Sequence, residues 1–466
     1  MPGLIQGNIP RRTIFCCDNL DVMHGMDSES VDLIYLDPPF NKGRYFHTPI
    51  GGTAEGATFK DIWESGDTKD EWHGLIADKY PKLYDYLVGV ESAGSKSAKY
   101  YLIYMAVRIL EMHRILRPTG SLYLHCDPTA SHYLKLLLDV IFGHSNFRNE
   151  IIWQRAHPHS DAKRYGNCAD QILFYTKSND YFWNTPTRPL DEAQIAEKYK
   201  HKDAEERHYR LGDLHATGLS GGGYQYVWNG IDRLWRTPKK RMQQAHDGDE
   251  LHYTKSGMAY KRIYLDEHKG VPLQNIWTDI PYVAGKERQG YPTQKPVALL
   301  ERIIAASCPE LGVVFDPFCG CATTCVAAER LQRMWIGVDI SPTAYKLTKK
   351  RMMEEVPDDL LGPLFDINFS VQPPQRTDAG LIPLPPDIRH ELYGMQEGVC
   401  VGCEQMFGFR HFELDHIVPR AKGGGNQREN LQLLCGSCNR LKGDRDMAYL
   451  KARLKTLNPP SFPSTK

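Results

Sequence analysis

The segment Val31-Asp-Leu-Ile-Tyr-Leu36-Asp37-Pro38-Pro39-Phe40 constrains this chain more than any other. Its run of branched and aromatic residues predicts a strand buried on both faces, and the run ends in a carboxylate followed by two prolines. In an open α/β sheet, ligands sit outside strand carboxyl ends, near a switch in strand order. Pro38 and Pro39 fix φ and lack N–H donors, so the turn is stiff and its carbonyls are free to accept hydrogen bonds. Phe40 adds a flat apolar face. Acid, carbonyl and ring together form a receptor for a planar heterocycle carrying an exocyclic amino group.

A second motif lies far downstream: Val313-Val-Phe-Asp316-Pro317-Phe318-Cys319-Gly320-Cys321-Ala322-Thr323-Thr324, then Trp335-Ile-Gly-Val-Asp339. It predicts a strand, a tight turn of small residues, a helix through Glu329 and a second strand ending in Asp339. The small residues around Gly320 let the backbone approach a ligand, and Asp339 suits a ribose diol, whose two hydroxyls can donate to one carboxylate. The turn lacks a full Gly-x-Gly-x-x-Gly and no lysine follows it. A nucleoside without phosphates therefore fits better than NAD or a nucleoside triphosphate.

Asp37-Pro-Pro-Phe-Asn, then Tyr291-Pro-Thr293-Gln-Lys295-Pro296, then Asp316-Pro-Phe-Cys-Gly320 and Asp339, in that order, resemble the permuted amino-methyltransferases of DNA. The resemblance covers about residues 11 to 356 and implies S-adenosylmethionine as cofactor, with the catalytic half preceding the cofactor half. It makes Asp37, Pro38, Pro39 and Phe40 the catalytic group. Asp18, in Cys17-Asp18-Asn-Leu, resembles the acid that meets the cofactor's adenine. Asp316, Phe318, Gly320, Thr323 and Asp339 would line the cofactor turn, with Thr293 and Lys295 near its carboxylate. Ala322 stands where the related pattern usually has glycine, a change that costs little if φ is negative there. Asp37 favours adenine N6 as the acceptor, since the cytosine N4 enzymes more often carry serine before Pro-Pro.

Length and composition agree. A chain of 466 residues predicts two to four domains. No apolar run approaches eighteen residues, and Met1-Pro-Gly-Leu-Ile-Gln is no signal pattern, so a soluble, cytoplasmic protein with no membrane partner is expected. Lys and Arg number 57 and so do Asp and Glu; a zero sum leaves nucleic-acid binding to local basic faces.

Strand-helix alternation through residues 12–176 predicts a doubly wound α/β sheet, interrupted by a Gly-rich loop, Gly43 to Gly56, read as mobile. From 156 to 290 histidines, tyrosines, tryptophans and cations interleave, including Trp228, Trp235 and Lys239-Lys-Arg241. Aromatic and cationic residues suit a groove that grips phosphates and stacks bases. In the family this is the place of the target-recognition region, so duplex DNA is the expected partner, with a homodimer left open.

Beyond a Pro-rich stretch, 357–396, read as a linker with limited order, lie Cys400-Val-Gly-Cys403 and Cys435-Gly-Ser-Cys438. Four thiolates are the ligand set of a closed structural zinc site, and a segment this short needs metal to fold. Around them, Glu413-Leu-Asp415-His416, Asn430 and Asn439 resemble the HNH nucleases, a ββα hairpin-and-helix grip on one catalytic metal. That resemblance makes His416 the general base, Asp415 and Asn439 ligands of magnesium or manganese, and Asn430 the residue fixing the hairpin loop. The expected architecture is a Rossmann-like methyltransferase (1–155 and 291–356) with an inserted target-recognition region (156–290), a linker (357–396) and a zinc-bound HNH domain (397–466).

Overall fold

A computed structural model describes residues 8–10, 12–47, 58–157, 163–216, 223–291, 293–355, 367–378 and 388–457. The chain opens with β1 (Thr13–Phe15), α1 (Asn19–Gly25) and β2 (Val31–Leu36). A hairpin of β3 (Arg44–His47) and β4 (Thr58–Asp61) and the helices α2 (Asp70–Lys79), α3 (Pro81–Ser92) and α4 (Lys96–Ile115) follow. Then come β5 (Leu116–Cys126), α5 (Ser131–Phe142), β6 (Phe147–Gln154) and β7 (Ala169–Thr176). After an inserted unit, the sheet is completed by β8 (Ile276–Trp277), α6 (Val297–Ser307), β9 (Val313–Asp316), α7 (Thr323–Arg330), β10 (Met334–Val338), α8 (Pro342–Glu355) and β11 (Asn368–Ser370).

Among the described residues, nine strands form one mixed sheet in the order β8-β6-β7-β5-β2-β9-β10-β1-β11. All neighbours are parallel except at β7, which runs antiparallel to both β5 and β6. Every residue of β2, β9 and β10 is buried, as expected of strands covered on both faces by helices. From β2 the chain builds outward through β5, β7 and β6 on one side, and from β9 through β10 on the other. The order therefore switches at the β2–β9 seam, where Leu33 pairs with Val314. Asp37 and Asp316 end these two neighbouring strands, so both carboxylates stand at the crevice.

The inserted unit is Thr185–Gln274, narrower than 156–290, because β7 and β8 belong to the large sheet. It has a four-stranded antiparallel sheet, a hairpin of Tyr224–Trp228 with Ile231–Trp235, and a helix over Lys239–Asp247. Trp228 and Trp235 are buried with Met242, Leu251 and Ala259 in a core of their own, so these tryptophans are not free to stack on bases. Lys239, Lys240 and Arg241 are exposed on the helix's first turn.

The loop expected as mobile is partly a hairpin, since its stems pair as β3 and β4; residues 48–57 lie outside the described residues. Of the stretch expected as a linker of limited order, 357–366 and 379–387 lie outside the described residues, and the described parts are packed against their neighbours. Residues 367–378 carry β11 beside β1 and bind back to the first half, with Thr377 and Asp378 amides donating to Asp27 at 2.7 and 3.0 Å. Residues 388–395 form a docking helix, α9 (Ile388–Met395), that crosses α2 closely. A Cβ on Gly74 would fall 2.2 Å from the His390 carbonyl oxygen, and one on Gly394 1.9 Å from that of Asp70. Beyond α9, β12 (Phe412–His416) pairs antiparallel with β13 (Leu431–Cys435), followed by α10 (Gly436–Lys442) and α11 (Met447–Leu457). Tyr393, Phe409, Phe412 and Leu433 share one hydrophobic cluster with residues of α2, α3 and α4. No helix among the described residues is long and apolar enough to cross a membrane.

Candidate active site at the carboxyl edge of the sheet

A cavity of about 580 Å³ opens over the β2–β9 seam. Its lining includes the expected residues Asp18, Asp37, Pro38, Pro39, Phe40, Thr293, Lys295, Asp316, Phe318, Gly320, Thr323 and Asp339. On one side Asp339 accepts from the amides of Gly320 at 3.0 Å and Ser341 at 2.8 Å. Asp316 accepts from the Phe318 amide at 3.0 Å and the Thr324 hydroxyl at 2.5 Å. Burial pushes Asp316 up to about 7 and Asp339 up to about 6, against the hydrogen bonds that favour their charged forms. Gly320 sits at φ +50, and a Cβ there would press the Tyr291 ring at 3.0 Å, so the turn is a cradle that only glycine leaves open. Thr323 begins α7 and accepts from Arg351 at 3.0 Å. Fixed carboxylates beside a glycine turn fit a nucleoside bearing a positive centre.

The raised carboxylates set a pH dependence. Both ionise less readily folded than unfolded, so their contribution favours the fold below about pH 4. It is lost as pH rises through about 6 for Asp339 and about 7 for Asp316. The melting-temperature advantage of the unliganded protein over Asp316→Asn should therefore decline from about pH 4 to about pH 7.

Three residues carry constraints that their sequence reading did not include. Asp18 caps α1, accepting from the Leu20 amide at 2.8 Å, and forms a two-pronged pair with Arg108 at 2.9 and 3.1 Å. Lys295 pairs with Asp37, and its ammonium also donates to the Thr293 carbonyl at 3.3 Å. Ala322 has φ 60, the left-handed region, so the condition for a cheap substitution fails. The turn carries a penalty of about 1–2 kcal/mol there.

On the other side, Asp37 Oδ2 accepts from Lys295, whereas Oδ1 is buried and has no hydrogen-bond partner among the described residues. Phe40 lies nearly parallel to His125, at 6.4 Å and 17°. His125, buried at the end of β5, bonds the Tyr35 hydroxyl through Nδ1 at 2.8 Å and Asp170 through Nε2 at 3.2 Å. Burial works to raise Asp170, yet the His125 hydrogen bond and the charges of Lys295 and Arg155 hold it at about 2. Sequence reading missed this string. Its only signal is a histidine closing an apolar strand, His125 after Tyr123-Leu124, on the strand next to β2.

In the C-terminal segment the four cysteines 400, 403, 435 and 438 bring their sulfurs within 4.8 Å of one another. They come from the turn before β12, the end of β13 and the first turn of α10, and Cys435 N–H points at Cys400 Sγ at 3.3 Å. His416 ends β12 half-buried, its Nε2 2.9 Å from Asn426 Oδ1. The Asn430 side chain accepts from the Val418 amide at 2.8 Å and donates to Gly425 O at 2.8 Å. Asp415 and Asn439 have separate partners. Asp415 accepts from Lys442 at 3.0 Å and Gln432 at 2.7 Å, and Asn439 donates to Glu413 at 2.6 Å.

The profile of the DNA methylase family matches residues 31–350, about two thirds of the chain. The chain belongs to the DNA methylase family. Residues 400–445 of the methylase match a second profile, HNH endonuclease. The Type II methyltransferase M.EcaI of Enterobacter cloacae is 31% identical over 258 residues, 54% of this chain and 57% of that protein. The Mod subunit of the Type III restriction-modification enzyme StyLTI of Salmonella typhimurium is 29% identical over 339 residues, 67% of this chain and 49% of that one. The chain thus spans about half the length of these curated relatives. The solved PvuII DNA methyltransferase (cytosine-N4-specific) covers 78% of the methylase and 95% of itself, at TM-score 0.37 and 12% identity. So distant a likeness says nothing about which base is modified.

Proposed function

We propose that this methylase moves a methyl group from S-adenosylmethionine to the N6 amino group of an adenine everted from duplex DNA. The observation that carries this reading is Asp37 Oδ1, a buried acceptor with no partner among the described residues, at the edge of a cavity beside Phe40. A paired base hides its amino group, so the base leaves the helix to reach the strand ends. Oδ1 accepts one amino hydrogen and the Pro38 carbonyl the other. This localises on nitrogen a lone pair otherwise delocalised into the ring. Phe40 stacks on the base, a contact worth about 1–3 kcal/mol. Asp339 takes the ribose hydroxyls, Asp18 lies toward the adenine, and the Asp316–Thr324 turn holds the nucleoside through its backbone. When bound, S-adenosylmethionine supplies an electrophilic methyl group on a sulfonium. Asp339→Ala should weaken its binding by about 2–3 kcal/mol, because truncation strands buried polar groups; calorimetry reads this directly.

The C-terminal module is proposed to be a nuclease held by zinc on Cys400, Cys403, Cys435 and Cys438. His416 would deprotonate the attacking water, and Asp415 and Asn439 would hold a magnesium or manganese ion, which would supply positive charge at the phosphodiester. Taking that ion requires Asp415 to release Lys442. Cleavage of unmodified and premethylated DNA by wild type and His416→Ala, with methyl transfer measured alongside, tests this half. Wild type should cut with magnesium or manganese and not with zinc alone. The variant should not cut, yet should methylate at the wild-type rate. Equal cutting by both would remove His416 as the base; no cutting by either would leave the module a DNA grip.

A further inference from the structure

Lys295 reaches Asp37 across 258 residues of chain, and both side chains are largely buried, 10% and 14% exposed. Its ammonium also lies 6.0 Å from the Phe40 ring centroid, so it sits on the side of the cavity that receives the base. The segment before α6 that carries it is pinned. Gln294 accepts from the Gln289 amide at 2.7 Å and donates to the Glu287 carbonyl at 2.7 Å, and Glu287 caps the Val297 amide at 2.6 Å. Lys295 is therefore a fixed charge rather than a wandering one.

We infer that Lys295 is a positioning residue for Asp37, turning the carboxylate so that Oδ2 is consumed and Oδ1 is left bare for the amino hydrogen of the target base. This rests on the methyl-transfer reading of the same cavity. A carboxylate beside a neutral wall can rotate, which moves the acceptor that draws on the amino group. An ammonium on one oxygen prevents that. A lysine suits this role because it offers a single point charge. An arginine fork matches both oxygens of a carboxylate and would cover Oδ1 as well. The cofactor's carboxylate, the partner expected from sequence, does not need Lys295 in this arrangement, and turnover rather than cofactor affinity should depend on it.

Two measurements on the full-length protein test this. The first is a melting cycle of wild type, Lys295→Met, Asp37→Asn and the double variant. Lys295→Met strands a buried carboxylate and should melt lowest, and the double variant should recover part of that loss. Additive effects would mean the pair does not form, and would overturn the inference. The second is methyl transfer to DNA. Lys295→Met should lower kcat by about 100-fold, with the KM for DNA and the calorimetric affinity for S-adenosylmethionine within about threefold of wild type. An unchanged kcat overturns the positioning role. A tenfold loss of cofactor affinity with kcat kept would return Lys295 to the cofactor. If wild type itself moves no methyl group to DNA, the methyl-transfer reading fails and Lys295 loses its role in it. The melting cycle would still report the pairing by itself.

Discussion

Asp37→Ala should lower methyl transfer to DNA by about 10³-fold or more while S-adenosylmethionine binds within a few-fold of its wild-type affinity. Pre-set hydrogen-bonding groups that act on the reacting centre typically contribute about 10²–10³-fold each. In the proposed reading Asp37 does more than accept one hydrogen, because the prolines behind it and Phe40 beside it depend on the same strand end. The contacts proposed for the cofactor lie elsewhere, on Asp339 and the Gly320 turn, which are hydrogen-bonded to each other at 3.0 Å. Asp37→Ala also strands the Lys295 ammonium, so some loss of melting temperature accompanies the loss of turnover. Label transfer and calorimetry on the same preparation separate the two. Wild-type turnover in the variant would remove Asp37 from the chemistry, and lost cofactor affinity would mean that the cavity's two sides are not independent.

The second large effect concerns the four cysteines. From sequence, a Pro-rich linker implies two domains with little shared core, so that losing a thiolate unfolds the C-terminal segment alone. The structure changes that expectation. Tyr393 packs edge-on against Tyr84 at 5.5 Å, Tyr100 donates to Glu397 at 3.0 Å, and His390 meets Asp78 at 3.3 Å. Metal on four thiolates contributes about 10 kcal/mol or more in the smallest zinc modules. Cys435→Ala, or chelation of wild type, should therefore unfold β12, β13 and α10 and lower the melting temperature of the whole chain, by roughly 10 °C, as the shared apolar surface is exposed. His416→Ala, at the half-buried end of β12, should melt within about 2 °C of wild type. Calorimetry with metal analysis distinguishes the outcomes. A Cys435→Ala protein with an unshifted main transition would show that the docking contributes no stability to the methylase.

The sheet was legible where one residue pattern has one physical reading. Val31–Leu36 and Val313–Asp316 are strands with the expected bounds, because apolar runs of that length closed by Asp-Pro have few other solutions. The cofactor turn was legible for the same reason. What escaped are contacts between distant positions. Nothing in Tyr-Pro-Thr-Gln-Lys295 says that its lysine meets Asp37, and a neighbouring carboxylate was not the partner assigned to it. The docking of α9 escaped because nothing local marks Gly74 and Gly394 as the positions where two backbones touch. Trp228 and Trp235 by themselves favour a small aromatic core, which is where they lie; it was the place of the insert that pointed to DNA contact, and local sequence cannot tell an aromatic core from an aromatic surface. At Ala322 the residue type was visible and its φ was not.

The central claim is that the cavity beside Asp37 methylates an amino group of DNA. The most direct measurement is mass spectrometry of the nucleosides from duplex DNA incubated with the wild-type protein and methyl-labelled S-adenosylmethionine, with Asp37→Ala run in parallel. The predicted result is labelled N6-methyladenine from wild type and none from the variant. Labelled N4-methylcytosine would contradict the choice of base, and unlabelled DNA from the folded, cofactor-binding wild-type protein would contradict the claim itself.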